Sequence, residues 1–167
     1  YFGEYSLLFG VPRTLTVKSK TRISIYKIGT GLLVDSLGKN YKSIIIKSIL
    51  KESFYKSNYL KIFTNNSYID KIYESSEIKL FEDGGIVFSQ DLNDAYYNHE
   101  KLYCILCGDF VTKDLSLDPP KITIVGKRGQ LFGENIICKN EKIKFNIYAQ
   151  KECRVIEILW DKLMTIL

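Results

Sequence analysis

Residues 21–28, Thr-Arg-Ile-Ser-Ile-Tyr-Lys-Ile, alternate apolar and polar side chains, which predicts a half-buried strand. Gly29-Thr30-Gly31 ends it. From Leu32 to about Phe63 apolar residues recur at helical spacing, through Leu32, Leu33, Leu37, Tyr41, Ile44, Ile45 and Ile49. Gly38 predicts an interruption of that helical stretch. Asn65-Asn66-Ser67 is a helix start signal, and Ile69, Ile72 and Tyr73 follow it on one face. From Glu77 the period falls to two. Ile78 and Leu80, Ile86-Val87-Phe88, Leu102 to Leu106, Phe110-Val111, Ile122 to Val125, Ile147-Tyr148-Ala149 and Arg154 to Leu159 all read as strands. Asp83-Gly84-Gly85 predicts a tight turn, while Asp91–Glu100 and Asp114–Pro120 predict long polar loops. A short helix is expected from Asp161. The succession of strand, helices, many short strands and helix predicts a mainly β fold: an antiparallel β-roll or jelly roll flanked by α-helices.

Composition narrows the functional classes. The 167 residues are 46% hydrophobic and 26% charged, with three prolines, so the chain buries a core and is not pervasively disordered. The net charge of +5 comes from scattered Lys and Arg, which predicts a solvated surface and no nucleic-acid partner. No apolar run approaches the ~20 residues of a membrane span, and Glu4 and Arg13 break any signal-peptide pattern. A cytoplasmic protein with reduced thiols is expected, its cysteines being Cys104, Cys107, Cys138 and Cys153. Cys104-x-x-Cys107 falls on a strand, where residues three apart face opposite sides, so shared metal ligation is not expected. His99 lies in a polar loop without companions. Neither a metal site nor a catalytic residue is predicted.

Candidate chemistry concentrates at the start, in Phe2-Gly3-Glu4-Tyr5-Ser6-Leu7-Leu8-Phe9-Gly10-Val11-Pro12-Arg13-Thr14-Leu15-Thr16-Val17. Gly3 lets backbone approach a ligand closely, and Glu4 to Leu8 can form a short helix whose first N–H groups meet an anion. Glu4 is an acceptor suited to a sugar hydroxyl, and Arg13 offers a planar fork of donors that matches a phosphate. The ordered whole resembles the phosphate-binding cassette of cyclic-nucleotide-binding domains. That resemblance implies Glu4 on the ribose 2′-hydroxyl, backbone N–H groups of Gly3 and Ser6 on the cyclic phosphate, and Arg13 as its counter-charge. Ser6 departs from the family's usual Ala but stays small. Thr14 resembles the cGMP-preferring type, its single hydroxyl being worth roughly 1 kcal/mol.

The pattern recurs at Gly129-Gln130-Leu131-Phe132-Gly133-Glu134. Upstream, Phe81 to Gln90 and Leu102 to Gly108 resemble the family's Phe-x-x-Gly-x-x-Ile-x-x-Gln and Tyr-x-Ile-x-x-Gly strands, which implies a whole barrel between Glu77 and Leu159. Laid on the first cassette without gaps, the second puts Lys142 opposite Pro12 and Ile143 opposite Arg13. A phosphate buried there without its counter-charge would lose roughly 3–5 kcal/mol, or about two to four orders of magnitude in affinity. Lys142 and Lys144 are point charges without the bidentate fork. The second copy is therefore expected to be degenerate, with a structural or relay role.

Three segments follow: 1–30, the C-terminal part of one cyclic-nucleotide-binding domain; 31–76, a helical connector; and 77–167, a degenerate domain. The opening at Tyr1 inside a motif predicts a piece of a longer protein. This order resembles the regulatory region of cGMP-dependent protein kinases of the apicomplexan kind. The resemblance implies cGMP, preferred over cAMP, as allosteric ligand of the parent, with no cofactor in this chain. It also implies the parent's kinase domain and neighbouring cyclic-nucleotide domains as partners. The chain carries no kinase motif of its own. A gating domain of an ion channel and a regulatory subunit of a cAMP-dependent kinase are the alternatives. A transcription regulator would need a helix-turn-helix after the barrel.

Overall fold

A computed structural model describes residues 2–13, 16–88, 100–114, 119, 121–139 and 146–167. The chain forms two compact units, Tyr1–Ile46 and Lys47–Leu167.

In the first unit lie a one-and-a-half-turn helix, α1 (Glu4–Phe9), and, after residues 16–29 without regular structure, α2 (Thr30–Leu37). The strand expected at 21–28 does not form: these residues pair with no strand among the described residues and are exposed. Alternation selects which side chains could share a face, but a strand exists only when its N–H and C=O groups find a partner. Gly38 breaks the helical stretch as expected, with φ 75°, and α3 (Tyr41–Lys56) starts three residues later.

In the second unit α3 lies beside α4 (Asn66–Ser75), with a 3₁₀ turn at Lys61–Thr64 between them. Asn65 caps α4 by accepting the N–H of Ser67 at 3.0 Å. Lys47 reaches Asp70 at 2.7 Å and Lys51 reaches Asn66 at 2.7 Å, while Phe54 and Phe63 meet edge to face at 5.8 Å. Polar ties outside and apolar burial inside hold the helix pair together.

Six antiparallel strands form one sheet among the described residues: β1 (Glu77–Phe81), β2 (Ile86–Phe88), β3 (Lys101–Asp114), β4 (Lys121–Gly126), β5 (Leu131–Phe132) and β6 (Ile147–Leu159). The main order is β1-β6-β3-β4, with β2 also on β6 and β5 also on β3. The runs expected as separate strands at Leu102–Leu106 and Phe110–Val111 are one continuous strand, and so are those of β6. Register shifts between Ile105 and Cys107 and between Cys107 and Asp109 mark bulges that bend β3. The polar loop expected at Asp91–Glu100, His99 included, falls almost wholly outside the described residues, as does most of Asp114–Pro120.

Alternation along β3 and β6 makes two cores. Leu102, Cys104, Ile156 and Ile158 are buried on one face, where the Cys104 thiol meets Ser53 of α3 at 3.2 Å. Tyr103, Ile105, Cys153 and Val155 face the inside of the roll with Val87, Phe88, Phe110, Ile147 and Ala149. There the rings of Phe81, Phe88, Tyr103, Phe110 and Phe132 interlock, with centroid separations from 5.3 Å (Phe88–Tyr103) to 6.4 Å (Phe81–Phe110). These tilted and edge-to-face contacts fill the roll with packed aromatic surface. A last helix, α6 (Trp160–Met164), buries Leu163; α5 (Glu134–Lys139) belongs to the second cassette.

Candidate cyclic-nucleotide cassettes

Both cassettes adopt a local form that their glycines permit. Gly3 has φ 95° and Gly133 has φ 100°, a region costly to a residue with a Cβ, and each leads directly into a six-residue helix headed by a glutamate. The internal repeat read from Gly3-Glu4 and Gly133-Glu134 is thus a repeat of backbone conformation.

In the first cassette, Glu4 and Leu8 are buried, and the Tyr5 and Phe9 rings meet at 5.1 Å with their planes tilted by 56°. Ser6 lies within α1, half-buried, and its carbonyl accepts the N–H of Gly10 at 2.9 Å. Arg13 is exposed, yet its guanidinium lies against Gly3: a Cβ built there would fall on it, 2.6 Å from Cζ. Gly3, Glu4, Ser6 and Arg13 therefore gather around one turn, with the exposed guanidinium over the glycine and the carboxylate at the helix head. That arrangement can present a guanidinium fork, backbone donors and a carboxylate acceptor to a small anionic ligand bearing hydroxyls. Thr14 lies outside the described residues.

The second cassette differs in what the glycine approaches. A Cβ on Gly133 would stand 2.7 Å from the carbonyl oxygen of Lys101 on β3 and 3.6 Å from Cζ of Phe88. Its close approach is to the protein's own sheet. Glu134 accepts a hydrogen bond from the hydroxyl of Ser57, at the end of α3. Lys142, Ile143 and Lys144 lie outside the described residues.

Two features escaped the sequence reading. Ser57 is one; its Oγ also accepts the N–H groups of Tyr59 and Leu60, a cap-like pattern legible as Ser-x-Tyr-Leu, but its partner Glu134 is 77 residues away. The other is Glu157, buried on β6, with Lys79 at 2.6 Å, Lys101 at 3.6 Å and the Tyr103 hydroxyl at 3.2 Å. Burial, and then the Glu157 carboxylate, push the Tyr103 phenol well above its ordinary range. A lone carboxylate at an inward position of a strand was the available signal. Among the described residues no cluster of three His, Cys, Asp or Glu could hold a metal ion, and no helix is long and apolar enough to cross a membrane.

No family model matches the chain. Over 159 residues it is 25% identical to the cGMP-dependent protein kinase of Toxoplasma gondii, covering 90% of this chain and 15% of that protein. Among solved structures it superposes on cAMP-bound PfPKA-R with a TM-score of 0.55 and 18% identity, over 72% of this chain and 41% of the other. It superposes on the regulatory domain of Toxoplasma gondii PKA, crystallised with cAMP, with a TM-score of 0.52 and 20% identity, over 99% of this chain and 61% of the other. The helix-flanked antiparallel roll of this chain is the fold of the cyclic-nucleotide-binding domain family.

Proposed function

We propose that the chain is a regulatory segment of a cyclic-nucleotide-dependent serine/threonine protein kinase. In this reading the first cassette takes cGMP, through Gly3, Glu4, Ser6, Arg13 and Thr14, and the second is a non-binding relay. The observation that carries the reading is the seat of the Arg13 guanidinium on Gly3, at the turn that brings Glu4 to the head of α1. A planar cation held over a side-chain-free turn is suited to a cyclic phosphate, and a buried carboxylate beside it is suited to a sugar hydroxyl. The sequence relation to a cGMP-dependent kinase supports cGMP; the two regulatory structures bound to cAMP favour cAMP as the second reading. Kinase partners, a cytoplasmic location and the domain limits at residues 30 and 76 belong to the same proposal.

The experiment is activation of the full-length parent by cGMP and by cAMP, with and without Arg13→Ala. Loss of the guanidinium fork should raise the concentration needed for half-activation by roughly two to four orders of magnitude. An unchanged response would remove the first cassette from the mechanism, and a lower requirement for cAMP than for cGMP would select the second reading.

A further inference from the structure

The carboxylate at the head of α5 is already engaged by the chain itself. Ser57 follows the last residue of α3 and is 4% exposed. Its N–H donates to the carbonyl of Phe54 at 3.1 Å, and its Oγ accepts from Tyr59 N at 3.1 Å and Leu60 N at 2.9 Å. A hydroxyl has two acceptor sites and one proton to give. With both acceptor sites held by neighbouring amides, the O–H has one direction left, and it donates to Oε2 of Glu134.

Other contacts show that this bond belongs to a joint. At the opposite end of α5, Lys139 Nζ lies 5.4 Å from the centre of the Tyr59 ring, so both ends of α5 engage the turn at 57–60. One helical turn before Ser57, Ser53 donates to the carbonyl of Ile49 at 2.8 Å and accepts the Cys104 thiol at 3.2 Å. The end of α3 is therefore fixed to β3 at Ser53 and to α5 at Ser57.

We infer that Ser57 is the resident ligand of Glu134, making the second cassette a self-occupied joint between α5 and the end of α3. The inference deepens the relay reading proposed above and rests on it. A tethered hydroxyl faces Glu134 at a high effective concentration, and an external hydroxyl seeking Oε2 must compete with it. Displacement also strands the amides of Tyr59 and Leu60, because the Ser57 oxygen that holds them would turn away.

Hydrogen–deuterium exchange on the whole chain, without nucleotide, tests the joint apart from the binding reading. Ser57→Ala should speed exchange across residues 134–139, and Glu134→Ala should speed it at Tyr59 and Leu60, each by roughly tenfold. Ser57→Thr keeps the hydroxyl and should restore protection at 134–139. Should Ser57→Ala fail to fold, Glu134→Ala and Ser57→Thr carry the test. Reciprocal loss establishes the joint; loss confined to the substituted element, or none, overturns it. Failure of the relay reading shows separately, as calorimetric binding of cGMP that Glu134→Ala abolishes.

Discussion

The carbonyl oxygen of Lys101 stands 2.7 Å from the point where a side chain on Gly133 would begin. Gly133 also has φ 100°, so steric space and backbone conformation both require glycine there. Gly133→Ala should cost about 2–4 kcal/mol, from the left-handed conformation and the displaced strand. At Gly3 the obstructing group is the movable end of Arg13, so Gly3→Ala should cost about 1–2 kcal/mol. Urea unfolding of the two variants gives the comparison, and equal losses would contradict it.

Tyr103 donates to a buried carboxylate, and hydrogen bonds to charged groups are the stronger kind. Tyr103→Phe keeps the ring contacts with Phe81, Phe88 and Phe110 and removes only the hydroxyl. A loss of about 1.5–3 kcal/mol is expected. A loss under about 0.5 kcal/mol in denaturant melts would show that the two lysines satisfy Glu157 alone.

The four thiols should differ sharply in reactivity. Cys138 is exposed, whereas Cys104, Cys107 and Cys153 are buried. Burial, and then Glu134, raise the Cys138 thiol, so its reaction should be unhurried at neutral pH. A chromogenic disulfide reagent should titrate one thiol in the folded chain and all four in denaturant.

Alkaline pH should destabilise the fold. Burial pushes the Cys104 thiol up to about 12 and the Cys153 thiol up to about 11, from an ordinary value of 9.0. Above pH 9 the unfolded thiols lose protons that the folded ones keep, so the folded state binds more protons and stability falls as pH rises. The contribution is complete below pH 9 and is lost on the way to pH 11–12. The expected limiting slope is about 1.4 kcal/mol per pH unit for each thiol. Urea midpoints at several pH values above 9, for the native chain and Cys104→Val, measure it; an unchanged slope in the variant would exclude Cys104.

Local chemistry was legible in the sequence because it needs only neighbours. Gly38 stops a helix, Asn65 caps one, and Asp83-Gly84-Gly85 turns the chain, with Gly85 N–H on the Glu82 carbonyl at 2.9 Å. The repeated Gly-Glu step was readable for the same reason, since glycine is the residue that takes a positive φ at no steric cost. The period-2 runs gave the β-rich half, and alternation separated Cys104, facing α3, from Tyr103, facing the rings of the roll.

Pairing was decided only by the tertiary structure. Residues 21–28 alternate as well as β1 does, but β1 has β6 beside it, from Glu77 opposite Glu157 to Phe81 opposite Cys153, and 21–28 has no such ladder among the described residues. The fused lengths of β3 and β6, the bulges around Cys107, and the partners of Glu157 and Glu134 arise the same way. Each depends on groups far apart in the chain, whose attraction acts only after folding has brought them within a few ångströms and removed the water between them.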